Sequence, residues 1–168
     1  VSVQAWPAEQ LPDLAGGADD LVIYHFSISC PRALEILKRC KGFRVVKYHN
    51  VTPSEFFRDY CSELEAACEG GRAELPAIVD LGCELYLGAS TYNIDELRAL
   101  GVPRDRSGVL APFHRVEEMV EAEADLELLR ALSDGARNFL MVGRLAPNKA
   151  YLDLIDAFSA CARTLDEP

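Results

Sequence analysis

The stretch "DLVIYHFSISCPRALEILKRCKGFRVVKYHN", residues 20–50, decides the fold class because one amphipathic segment separates two apolar runs. The first run, "DLVIYHFSI", is short and rich in β-branched residues, as in buried strands. Pro31 is well placed in a first helical turn, and apolar residues recur at helical spacing from Ala33 to Cys40. The second run, "FRVVKYHN", is again strand-like. This order predicts two parallel strands joined by a right-handed crossover helix.

The same alternation continues to about residue 112. A helix is predicted over residues 52–69 and is expected to end at the Gly70-Gly71 pair. Further predicted elements are a short helix at 72–82 limited or bent by Pro76, a strand at 83–90, a helix at 91–101 and a strand at 107–113 that breaks at Pro112. Residues 1–112 are therefore predicted to form an α/β domain with a Rossmann-like, mostly parallel sheet.

The composition changes after Pro112. Residues 113–136 are rich in glutamate and are expected to be a connection that runs into a surface helix, whereas "RNFLMVG", 137–143, is predicted to be a strand followed by a helix. One strand and one helix cannot bury their own apolar faces. We therefore expect residues 137–168 to be the first βα unit of a second Rossmann-like domain, and the chain to be a fragment of a longer protein.

Composition and charge exclude several classes of protein. The 168 residues are 49% hydrophobic, which is incompatible with general disorder, and the net charge of −10 without a basic cluster argues against binding to nucleic acid. No run approaches the roughly 20 apolar residues of a membrane span, and no signal peptide is evident, so a cytoplasmic location is expected. The six cysteines and three histidines have no metal-ligand spacing, so we expect free thiols and no metal.

The turn in "MVGRLAPNKAYL", residues 141–152, carries two cations between an apolar run and a helix. Gly143 permits close approach of a ligand to the backbone, Arg144 offers a planar fork suited to phosphate oxygens, and Lys149 adds a point charge where the helix begins. An anion is the natural ligand for such a turn. The alternative is a surface turn whose cations pair with Asp153 or Asp156. The spacing alone favours neither interpretation.

Three segments together resemble one enzyme family. "FLMVGRLAPNKAYLDLIDAF", residues 139–158, closely resembles the "VGRL-x-P-x-KG-x-x-x-L-I-x-A-F" opening of the C-terminal domain in group 1, or family 4, retaining glycosyltransferases, which have the two-domain GT-B architecture. "DLVIYHFSIS" with "VVKYHNVTPSEFF" is similar to paired strand ends in the N-terminal domain of polysaccharide-building members. "LGASTYNIDELRALGVP" is similar to the segment before the interdomain connection. The matches are colinear over about residues 18–160.

The resemblance implies roles for particular residues. Arg144 and Lys149, with Gly143, would hold the diphosphate of a nucleotide-sugar donor. His49 would take an active-site role near the transferred sugar. Its neighbours Asn50 and Thr52 would belong to the substrate site, and His25 is a weaker candidate for it. Without the resemblance, both histidines are more typical of satisfied strand-end residues than of catalysts.

The implied activity is transfer of a sugar from a nucleotide-sugar donor to a glycan or lipid-linked acceptor with retention, without a cofactor or a metal. A lipid-linked acceptor is compatible with peripheral membrane association of the full-length protein, although no basic amphipathic helix indicates it. The chain departs from the family at Ala150, where glycine is usual. The resemblance implies that residues 1–112 are the later part of the acceptor-side N-terminal domain, 113–136 the interdomain connection and 137–168 the start of the donor-side C-terminal domain. The family's glycine-rich N-terminal loop is absent, and its E-x7-E region would lie beyond Pro168, so we expect the fragment alone to be inactive. Two alternatives are a non-catalytic α/β binding module and an unrelated phosphate-ester enzyme with an anion site at a helix terminus.

Overall fold

The computed structural model describes residues 4–165, which divide after Pro112 into two compact units, called unit 1 (up to residue 112) and unit 2 (from residue 113). Unit 1 contains a four-stranded parallel sheet with strands in the order of the chain: β1 (Leu21–Phe26), β2 (Phe43–Tyr48), β3 (Leu85–Gly88) and β4 (Ser107–Val109). The predicted α/β class with a parallel, Rossmann-like sheet is confirmed. The predicted domain boundaries at 112 and 136 stay a prediction.

The helices of unit 1 lie between these strands along the chain. They are α1 (Leu11–Leu14), α2 (Pro31–Arg39), α3 (Ser62–Asp80) and α4 (Thr91–Ala99), with 3-10 turns at Ala8–Gln10, Ser54–Phe57 and Arg104–Arg106. Helix α4 begins at a Ser90 cap whose hydroxyl accepts the Asn93 backbone N–H. Gly101, with a φ of 112°, follows this helix in a conformation that favours glycine.

Alternation along the strands separates a covered face of the sheet from a more open one. On the covered face Phe26, Val46 and Tyr86 are buried with residues of α2, α3 and α4: Leu34, Leu37, Cys68, Leu75, Ile78, Ile94 and Leu97. The opposite face carries Leu21 and Ile23 of β1, which are exposed. Burial of the apolar side chains on the covered face is the main stabilising contribution to the unit.

The expected helix ends between residues 52 and 82 are wrong. Residues 54–57 form only a 3-10 turn, the α-helix begins at Ser62, and it runs without a break through Gly70, Gly71 and Pro76 to Asp80. The two predicted helices are therefore one helix of 19 residues. Packing in unit 1 outweighs the local preference of these residues for a helix end.

The Gly70-Gly71 pair is a contact point rather than a terminator. A Cβ atom on Gly71 would lie 2.8 Å from the backbone nitrogen of Ser29, in the loop after β1. That loop is tied to α3 because the Ser29 backbone N–H donates to the Ala67 carbonyl at 3.1 Å. Only glycine allows the loop and the helix to approach this closely.

Glu74, one turn further along α3, holds the same loop. Its Oε1 accepts the Ser29 hydroxyl at 2.5 Å, and its Oε2 accepts the Cys30 backbone N–H at 3.1 Å. Cys30 is the N-terminal cap residue of α2, and its own side chain makes no cap hydrogen bond. A carboxylate from another helix thus satisfies one of the polar groups at this helix entry.

Unit 2 contains three helices within the described residues, α5 (Val116–Val120), α6 (Leu126–Ala131) and α7 (Tyr151–Leu165), and a 3-10 turn at Pro147–Lys149. The predicted strand at 137–143 is wrong for the described structure, so the expected first βα unit is present only as its helix. A strand needs a partner for its backbone hydrogen bonds, and the described part of this unit offers none. Phe139 instead packs edge to face on Phe158, with ring centroids 5.1 Å apart.

All six cysteines are free thiols, as predicted. Among residues 4–165 no helix has both the length and the apolar character needed to cross a bilayer.

Candidate functional site

Two predicted site residues, His25 and His49, meet at the carboxyl ends of β1 and β2. In the parallel register His25 lies opposite Lys47, and His49 follows two residues later, so all three share the open face of the sheet. The Nδ1 atom of His25 lies 2.8 Å from the Nε2 atom of His49, and the rings stack with centroids 5.0 Å apart. The His49 backbone N–H donates to the Phe26 carbonyl at 2.9 Å, which extends the strand pairing as far as the histidine.

A contact this short between ring nitrogens requires one proton between them. One nitrogen donates and the other accepts, so at least one imidazole is neutral. Partial burial lowers the pKa of His49, and the neighbouring charges of His25 and Lys47 lower it further. The pair therefore holds a neutral, oriented imidazole at the end of the sheet where α/β proteins bind ligands.

Lys47 is a buried cation beside this pair. Its side chain is 5% exposed, and Nζ donates to the Gly88 carbonyl at 3.3 Å and to the Leu110 carbonyl. Burial lowers the pKa of Lys47. The ammonium group links the ends of β2 and β3 to the segment after β4, next to the histidine pair.

Asn50 follows His49 with a left-handed backbone, at a φ of 75°. Asparagine tolerates this conformation better than most residues. Its Oδ1 accepts from Arg72 Nη2 at 3.3 Å and lies 3.2 Å from the Tyr48 hydroxyl. The amide oxygen of this predicted substrate residue is thus engaged within the protein.

Helices α3 and α4 complete this network. Arg72 of α3 pairs with Glu96 Oε1 of α4 at 2.5 Å, and Glu96 Oε2 accepts the Tyr48 hydroxyl at 2.9 Å. Burial, followed by the hydrogen bond to Glu96, raises the pKa of Tyr48. Thr52, the other predicted substrate residue, is half-buried two residues beyond Asn50. Its role stays a prediction.

The predicted anion-binding turn lies in unit 2. Arg144 and Lys149 are both exposed, and within residues 4–165 neither forms an ion pair with Asp153 or Asp156. Both interpretations of the turn, an anion site and a surface turn, stay predictions. The cations remain accessible to an anion.

The backbone of this turn is held in a defined conformation. The Tyr151 hydroxyl donates to the Gly143 carbonyl at 2.7 Å, and a Cβ on Gly143 would lie 3.3 Å from that hydroxyl. Ala150 adopts a left-handed conformation with a φ of 55°. Position 150 is where the resembling family usually has glycine, the residue that adopts this conformation without strain. In the described chain Asn148 Oδ1 is a buried acceptor without a hydrogen-bond partner.

Sequence reasoning missed Lys47, Tyr48, Arg72 and Glu96. The signal for Lys47 was present, because a charged residue inside the apolar run "FRVVKY" is unusual and strand alternation places it with the histidines. Arg72 and Glu96 lie on two helices, and no spacing rule connects them. Their pairing is evident only in the folded chain.

Comparison of the chain with protein-family models, with curated proteins and with solved structures found no match. Within residues 4–165 no three side chains of the metal-ligating types are grouped so that they could hold a metal ion. The histidine pair and the cationic turn are the two features of the described residues that bear on function.

Proposed function

We propose that this chain is part of a retaining glycosyltransferase of GT-B type, which moves a sugar from a nucleotide-sugar donor to a glycan or lipid-linked acceptor. The observation that carries the proposal is the His25–His49 pair, 2.8 Å apart at the carboxyl ends of adjacent parallel strands. That edge of a parallel sheet is where α/β proteins bind their ligands. A neutral imidazole there can exchange hydrogen bonds with sugar hydroxyl groups.

The cationic turn supports the donor side of the proposal. Arg144 and Lys149 are exposed, and neither is paired with the nearby aspartates in the described residues. A guanidinium and an ammonium group in the turn before a helix suit the two phosphates of a nucleoside diphosphate.

The chemistry follows from charge. When the bond between the sugar and the diphosphate breaks, negative charge grows on the leaving oxygen, and cations bound to the diphosphate lower the energy of that state more than that of the bound donor. The acceptor hydroxyl attacks from the same face and loses its proton to the departing phosphate, which gives retention. His49, kept neutral by its environment, positions the transferred sugar without adding a positive charge next to the developing oxocarbenium ion.

The test is turnover by the complete gene product with a panel of nucleotide sugars and glycan or lipid-linked acceptors. We expect acceptor-dependent release of nucleoside diphosphate and a product with the anomeric configuration of the donor. Arg144→Ala and Lys149→Ala should each lower kcat/KM at least tenfold, because each removes a charge-assisted contact worth about 1.5–3 kcal/mol. Arg163→Ala, an exposed arginine in the last turn of α7, is the matched control.

Other outcomes identify the alternatives. Binding of nucleotide sugars without turnover would indicate a non-catalytic module. Hydrolysis of phosphate esters without any need for an acceptor would indicate an unrelated enzyme that uses a helix-terminus anion site. Unchanged donor turnover in both the Arg144 and Lys149 variants would refute the assignment of the turn.

A further inference from the structure

The polar network beneath His49 has no part in the proposed chemistry, yet it holds both neighbours of this histidine. Tyr48 precedes His49 and donates to Glu96 at 2.9 Å, while Asn50 follows it and accepts from Arg72 at 3.3 Å. Arg72 and Glu96 are themselves paired at 2.5 Å. Side chains of the two helices α3 and α4 are thus hydrogen-bonded to the residues on either side of the histidine.

We propose that Arg72, oriented by its hydrogen bond to Glu96, is a positioning residue that holds the turn at Asn50 so that His49 meets His25. The inference deepens the proposed function, on which the catalytic meaning of His49 rests. The histidine pair itself is a feature of the structure and can be measured without any substrate. Arg72 is suited to this task because its planar fork reaches Glu96 with Nη1 and Asn50 with Nη2 at once.

The conformation of Asn50 explains why these hydrogen bonds are needed. A non-glycine residue in the left-handed conformation costs free energy unless the surrounding contacts favour it. Asn50 has this conformation, with a φ of 75°, immediately after His49. If the turn relaxed toward an extended conformation, the His49 ring would no longer be fixed at 2.8 Å from His25. The amide link to Arg72 opposes that relaxation.

Partial burial strengthens the contacts between Arg72 and Glu96, because little water reaches them. The side chains of Arg72 and Glu96 are 33% and 20% exposed, so water competes only partly for their charges. Arg72→Lys would keep the charge but lose the planar, two-pronged donor group. Glu96→Gln would keep the shape of the side chain and lose its charge, so this variant is expected to retain much of the geometry.

The test is an imidazole ¹H–¹⁵N spectrum of the 168-residue chain, in which the shared His25–His49 proton gives a hydrogen-bonded signal. We expect Arg72→Met and Asn50→Gly to abolish that signal, and Glu96→Gln to retain it. Asn50→Gly is informative because it alters no charge and still permits a positive φ. Arg98→Met is the matched control, since Arg98 of α4 is equally hydrogen-bonded but contacts Asp95 and Ser107 instead.

The inference is overturned if the signal persists in Arg72→Met and Asn50→Gly, or if Arg98→Met abolishes it equally. Thermal unfolding of the same samples verifies that each variant is folded when its spectrum is recorded. In the complete gene product, Arg72→Met should then lower kcat more than it changes KM for the donor. If the complete protein transfers no sugar while the spectra behave as expected, the proposed function fails and the positioning role stands.

Discussion

Replacing Gly71 by alanine tests the packing that brings α3 to the loop after β1. On helix propensity alone the substitution should stabilise the chain, because alanine in a helix interior is favoured over glycine by about 1 kcal/mol. The structure predicts the opposite sign. The new Cβ would lie 2.8 Å from Ser29 N and 3.1 Å from Ile28 C, both of them backbone atoms.

The size of the destabilisation depends on the backbone atoms that the new methyl group displaces. Backbone cannot rotate away as a side chain can, and an added methyl group in a packed contact costs about 1–3 kcal/mol. The shift also stretches the hydrogen bond from Ser29 N–H to the Ala67 carbonyl, now 3.1 Å, whose loss costs about 1 kcal/mol. Subtracting the gain in propensity leaves a destabilisation of about 2 kcal/mol.

The assay is urea denaturation of the 168-residue chain followed by circular dichroism, with the free energy of unfolding compared between variants. Ala73→Gly is the control, because Ala73 is exposed in the same helix and its replacement reports propensity alone, a loss of about 1 kcal/mol. If Gly71→Ala proved more stable than the parent chain, the close approach of loop and helix would be refuted.

Three further predictions concern the turn in unit 2, the histidine pair and the thiols. Ala150→Gly should raise the melting temperature slightly, because it relieves a left-handed alanine whose φ is 55°; an unchanged or lower value would contradict that strain. The pKa of His49 is lowered in the folded state, so its stabilising contribution is complete above the unfolded pKa of about 6.5 and is lost on acidification. The free energy of unfolding should therefore fall as the pH is lowered through that value, and less steeply in His49→Gln; an equal slope in this variant would contradict the role of His49. Burial raises the pKa of Cys83, so iodoacetamide should label exposed Cys30 and Cys161 first, and equal labelling of Cys83 would contradict its burial.

The sheet was predictable from the sequence, whereas the long helix was not. Runs of β-branched and apolar residues such as "LVIYHF" form strands in most contexts, so the local sequence pattern is sufficient to predict them. Gly70 and Gly71 have the same appearance whether they end a helix or admit a neighbouring backbone. The choice depends on Ser29, which lies 42 positions before Gly71 in the chain. Local sequence carries no information on that contact.

For the candidate site, the sequence predicts the positions of the strand ends but not the contacts between side chains. Parallel strands bring their carboxyl ends to one edge of a sheet, so the strand ends alone place His25 and His49 at the same edge, but the ring contact depends on the register between β1 and β2. The strand predicted at 137–143 failed because an apolar run forms a strand only with a partner to pair with. Arg72 and Glu96 are joined by the packing of two helices, which periodicity within either helix does not specify.

Binding of nucleoside diphosphate to the complete gene product tests the central claim most directly. Calorimetric titration with uridine and guanosine diphosphates should show binding of at least one of them, weakened tenfold or more in Arg144→Ala and in Lys149→Ala and unchanged in Arg163→Ala. Affinity equal to that of the parent protein in both variants, or no binding of any nucleoside diphosphate, would contradict the account.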